Sequence, residues 1–112
     1  MIYVELERGI MTSKQRAFLR SLAMNEDTIL YIGKGGVTPE LTKNVSEALA
    51  ARELIKIGIQ QNCLDDPREL ASVLSERTKS QVVEIIGRKI VLYKEGMGDD
   101  RKIVLPSKAA GK

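Results

Sequence analysis

The residues of this 112-residue chain best placed to do chemistry are Gly33-Lys34-Gly35-Gly36, between a short β-prone run and a well-capped helix. Glycine has no Cβ, so such a loop lets a ligand come close to the backbone. The helix behind it offers unpaired N–H groups and the positive end of its dipole, which together suit a phosphate. Lys34 adds a mobile cation at the tip. The same letters also fit a plain β-to-α turn that needs glycine for its dihedrals. Nucleotide-cofactor loops fit poorly. A P-loop needs G-x-x-x-x-G-K-[ST], whereas here the lysine precedes the closing glycines. A dinucleotide loop needs G-x-G-x-x-G, and after Gly33 and Gly35 the third place holds Thr38. A polynucleotide backbone held by a short G-x-x-G clamp remains.

Further basic residues stand elsewhere. Arg16 and Arg20, four apart, project together along the flank of a helix, where they form a solvated face or grip a phosphate. Lys43 points away from the core of the second helix. Lys56 interrupts an apolar strand and is expected to leave the core face. Arg88, followed by Lys89, sits at a hairpin tip and is expected to be exposed and free to reach a ligand. Tyr31, Tyr93 and Phe18 are expected in the core, so phosphate contact rather than base stacking is the anticipated mode. Lys and Arg number 18 against 15 Asp and Glu, a net charge of +3, so placement of the cations matters more than their sum.

The composition removes much other chemistry. Without histidine there is no Ser–His or Cys–His pair and no imidazole metal ligand. Cys63 is alone, which excludes an internal disulfide and fits a reducing, cytoplasmic location. No catalytic residue, metal site, cofactor or small-molecule substrate is expected. The apolar runs fall far short of the ~20 residues that span a bilayer, and charge is mixed into the first residues, so neither membrane span nor signal peptide is expected.

Periodicity and punctuation place the loop. From Ser13 the pattern is helical, with Phe18, Leu19, Leu22 and Ala23 on one face. Thr28 to Ile32 reads as a strand. Thr38 and Pro39 are cap and first-turn proline of a second helix, with Leu41, Val45, Ala48 and Leu49 buried. Glu53 to Ile59 (ELIKIGI) alternates as a strand with Ile55, Ile57 and Ile59 on one side. Asp66-Pro67-Arg68-Glu69 starts a third helix, buried through Leu70, Val73 and Leu74. Gln81 to Ile86 and Lys89 to Lys94 form a hairpin through Gly87-Arg88, which suits a type II′ turn. The fold class is thus α/β: a compact α-β-α-β-α-β-β domain with a four-stranded mixed sheet and three helices. Residues 1–11 read as an N-terminal extension, 12–106 as the domain and 107–112 as a C-terminal tail.

In this order TSKQRAFLRSLA, TILYIGKGGVTPEL, ELIKIGI and VVEIIGRKIVLYKE resemble the YhbY-like family, the bacterial form of the chloroplast RNA splicing and ribosome maturation (CRM) domain. The resemblance runs from Thr12 to about Pro106, and is far more specific than any single motif. It implies a fold similar to the C-terminal domain of translation initiation factor three. It also implies RNA binding through the G-x-x-G loop and association with precursors of the large ribosomal subunit. Carried over by position, the RNA-binding residues are Gly33, Lys34, Gly35 and Gly36, with Arg16, Arg20, Lys43 and Arg88 as the basic surface. The loop rests on a motif match, the other four on region alone. The expected protein is a monomeric, non-enzymatic, cytoplasmic RNA-binding factor in large-subunit assembly. The competing reading is a ribosome-associated protein–protein adaptor whose glycine loop is only a turn.

Overall fold

Three helices begin where capping chemistry lets them. The Thr12 hydroxyl accepts from Gln15 N at 3.0 Å, while Gln15 Oε1 accepts from Thr12 N at 3.2 Å, a reciprocal box that starts α1 (Ser13–Ala23). Thr38 Oγ1 accepts from Leu41 N at 3.1 Å ahead of α2 (Pro39–Arg52). Asp66 Oδ1 accepts from Arg68 N at 3.0 Å ahead of α3 (Pro67–Thr78). Each cap satisfies a donor the helix itself cannot and stabilises it by about 1 kcal/mol. The computed structural model describes residues 11–96 and 103–106; the expected extension through residue 10 and the tail from residue 107 lie outside them.

The strands are β1 (Thr28–Ile32), β2 (Leu54–Ile59), β3 (Gln81–Ile86) and β4 (Lys89–Tyr93), ordered β1-β2-β4-β3. β1 and β2 are parallel, and β4 is antiparallel to both its neighbours, so the sheet is mixed as anticipated. The hairpin turn uses Gly87 at φ +55°, a conformation that favours glycine.

Alternation along the strands loads the two faces separately. Ile32, Ile55, Ile57, Ile59, Ile90 and Leu92 face α2 and α3, packing on Leu41, Val45, Leu49, Leu70 and Leu74. On the reverse face Leu54, Val83, Val91 and Tyr93 lie beneath Leu19 and Ala23 of α1, with Ile103 and Leu105 packed alongside. Gln15 Nε2 donates to Pro106 O at 2.9 Å and ties the two ends of this layer together. Met11, assigned from sequence to the extension, is instead buried in this second cluster.

Two further expectations change. ELIKIGI does not begin as strand: Glu53 caps α2 with φ +68°, and its side chain is buried. Its carboxylate accepts from Gly96 N and Ile103 N, and its carbonyl from Lys94 N at 2.8 Å, bonds that offset the cost of the unusual dihedral. Tyr31 is not core. Its side of the sheet lies beyond the reach of α1, leaving it 56% exposed, while Tyr93 is buried as anticipated.

Candidate nucleic-acid interface

The glycine loop leaves β1 at one end of the sheet, where two other connections meet it. Ile32 O accepts from Gln60 N at 2.9 Å, which sets the β1–α2 loop beside the β2–α3 loop. Gly36 N donates to Gly33 O at 3.0 Å, closing a turn with Lys34 and Gly35 exposed at its tip.

The fold places different demands on the three glycines. Gly36 has φ +71°, and a Cβ there would stand 2.9 Å from Asp65 Oδ2, so the turn itself demands glycine. At Gly33 a Cβ would come 3.0 Å from Gln60 Oε1, the far end of a flexible side chain. Gly35 has neither constraint. Its φ is not left-handed, and an added Cβ would meet only Thr38 Cγ2 at 3.5 Å, an ordinary contact. A side chain at position 35 would obstruct only what approaches from outside.

The basic residues divide into two groups. Arg88 is exposed at the hairpin tip, yet its guanidinium is not free, which corrects the expectation. Nε donates to Ile59 O at 3.1 Å, and Nη2 donates to Gln60 O and Cys63 O, both at 2.6 Å. It thereby holds the β2–α3 loop against which the glycine loop rests. Arg16 is likewise engaged, its Nη1 donating to Val82 O at 2.7 Å and Val83 O at 2.9 Å. Those carbonyls flank the register shift of β3, so the side chain supplies a donor where the ladder is irregular. Arg20 stands 3.7 Å from Glu84, a half-exposed pair of small energetic weight. By contrast, Lys34, Lys43, Lys56 and Lys89 have no ion-pair partner among the described residues.

Position separates the groups further. Arg16 and Arg20 lie along β3, whereas the glycine loop follows β1 on the opposite edge. Three inter-strand steps, roughly 14 Å, lie between those strands. Lys43 sits one turn beyond Pro39 on the solvent side of α2, near the loop. The eight expected residues are therefore not one patch: the loop, Lys43 and the hairpin tip share an end, and the α1 arginines do not.

Sequence reasoning missed Tyr31 and Lys89 as part of this surface. They lie in one row across the strands, Tyr31 opposite Gly58, Gly58 opposite Lys89, and Lys89 opposite Ile86. The available signal was Lys56-x-Gly58 in β2, which marks a strand face that is not wholly apolar. Among the described residues no group of three or more His, Cys, Asp or Glu could hold a metal ion, and no helix is long and apolar enough to cross a membrane.

Comparison with known proteins converges on one domain. The family model of the CRS1/YhbY (CRM) domain matches residues 11–94. A Bacillus subtilis protein named "Probable RNA-binding protein YqeI" is 45% identical over 97 residues, covering 87% of this chain and 100% of that protein. A Haemophilus influenzae protein named "RNA-binding protein" is 29% identical over 98 residues, covering 88% of this chain and 97% of that protein. The solution structure of a Staphylococcus aureus protein superposes with a TM-score of 0.73 at 46% identity, over 87% of this chain and 100% of that one.

Proposed function

The chain belongs to the CRS1/YhbY (CRM) domain family, and from that membership we propose that it binds RNA by its phosphate backbone and assists assembly of the large ribosomal subunit. The loop at positions 33–36 is the clamp, with Lys34 its charged member and Lys43 beside it. The basic surface is completed by Arg20 on the far edge, while Arg16 and Arg88 act mainly by holding β3 and the β2–α3 loop in shape. RNA in precursor particles of the large subunit is the partner that the family resemblance implies. The protein acts in the cytoplasm as a monomer, by binding rather than catalysis.

Gly35 is the observation that carries this reading. Nothing in the surrounding fold requires a glycine there, so its missing side chain is explained by close approach of a ligand. The adaptor reading is favoured by a different residue: the φ of +71° at Gly36 is what a purely structural turn would need. The test is Gly35→Leu, with binding to large-subunit ribosomal RNA fragments measured beside thermal melting. A clamp predicts a large loss of affinity at an unchanged melting temperature. Full affinity in the folded variant would return the loop to the role of a turn and support the adaptor.

A further inference from the structure

We propose that the Tyr31 ring is a stacking platform for an unpaired RNA base, placed on the open part of the sheet beside the glycine loop. This rests on the RNA-binding reading above and adds base contact to a backbone clamp.

The ring is held rather than merely exposed. It leans over β2 with its Cδ1–Cε1 edge on Gly58, and a Cβ at position 58 would lie 2.7 Å from Cε1 and 2.8 Å from Cδ1. Any other residue at 58 would displace the ring, so this glycine makes the seat in which Tyr31 rests. The ring remains more than half exposed because the α1 layer packs on Leu54, Val83, Val91 and Tyr93, and does not reach Tyr31. Large exposed aromatics supported on a sheet suit stacking, since every base presents a π-face.

The surroundings suit a polyanion. The row Tyr31, Gly58, Lys89, Ile86 contains no carboxylate, and Lys56 lies in the next row on the same face. At the far end of that next row, on β3, stands Glu84, 3.7 Å from Arg20. Tyr31 also precedes Gly33 by two strand residues, roughly 7 Å of chain. A phosphate held at the loop therefore leaves its neighbouring base within reach of the ring. The ligand class is single-stranded RNA, because a base in a duplex has no free face to offer.

The experiment uses the full chain and two labelled probes, oligoadenylate and a strand of equal length whose bases have been removed. Tyr31→Ala should weaken oligoadenylate binding by about 5- to 150-fold, the range for loss of one base–aromatic stack. Tyr31→Phe should stay near wild type, the salt dependence should be unchanged, and the base-free strand should not distinguish Tyr31→Ala from wild type. A folded Tyr31→Ala variant that binds oligoadenylate as wild type does overturns the platform. So does an equal loss in Tyr31→Phe, which would make the hydroxyl the contact. If Lys34→Ala weakens binding while Tyr31→Ala does not, the backbone clamp survives alone. If the wild-type protein binds neither probe nor ribosomal RNA, both readings fall.

Discussion

Arg88 and Cys63, 25 positions apart, are joined by a 2.6 Å hydrogen bond from Nη2 of the one to the carbonyl of the other. With the bonds to Ile59 and Gln60, this makes a residue that looks like a free cation into a clip across three carbonyls. Arg88→Ala should therefore lower stability by about 1–3 kcal/mol, since charged donors to carbonyls are lost. Arg88→Lys should recover little of it, because an ammonium cannot reproduce the planar fork. Urea unfolding checks both. An unchanged midpoint, with RNA affinity lost instead, would make Arg88 a direct phosphate ligand.

Gly35 and Gly36 should behave oppositely on substitution by alanine. Gly36→Ala forces a side chain into φ +71° against Asp65 and should cost about 1 kcal/mol or more. Gly35→Ala should stay within about 0.5 kcal/mol of wild type. Equal thermal shifts in the two variants would show that the loop conformation has been misjudged.

Lys34 should reveal itself in salt titration. For single strands the logarithm of affinity falls with the logarithm of salt by roughly 0.7 per phosphate neutralised. Lys34→Ala should reduce that slope by somewhat less than one and weaken unrelated RNAs alike. A slope equal to wild type would remove Lys34 from the interface.

Sedimentation tests the biological partner. The wild-type protein should travel with large-subunit precursors and be released by moderate salt. Lys34→Glu together with Lys43→Glu changes two exposed residues and should fold normally, yet stay at the top of the gradient. Arg16→Glu is unsuitable for this purpose. It would set a carboxylate against the carbonyls of Val82 and Val83 and should unfold at markedly lower urea. Co-sedimentation of the folded double variant at wild-type level would favour protein contacts instead.

Local chemistry was readable from the letters, and long-range geometry was not. Thr38-Pro39 and Asp66-Pro67 announce helix starts because cap and first turn lie within a few residues of each other. Ile55, Ile57 and Ile59 declare their face by strict alternation. Tyr31 could not be placed this way, since TILYI does not alternate and β1 carries a register shift between Thr28 and Leu30. Whether α1 reaches that far across the sheet is a matter of packing. Glu53 was misplaced for a similar reason: the amides that its carboxylate receives come from positions 43 and 50 residues away. The glycine motif was found, but only the dihedrals and neighbours of each glycine separate Gly36, needed by the turn, from Gly35, which is not.

The bond between Gln15 and Pro106 spans 91 positions, and that span bears on the order in which the domain opens. The face under α2 and α3 is assembled from segments between Ile32 and Leu92, whose strand partners stand at most 39 positions apart. The other face closes only when residues around 11 reach residues around 105. Contacts of such separation carry a larger loop-closure entropy and tend to form late. In deuterium exchange under native conditions, the amides of α1 should therefore open at lower free energy than those of β2 and β4. Uniform protection throughout would refute this order. With it, α1 is a cover that lifts from one side of the sheet while the glycine loop, anchored to Gln60 and through it to Arg88, keeps its shape.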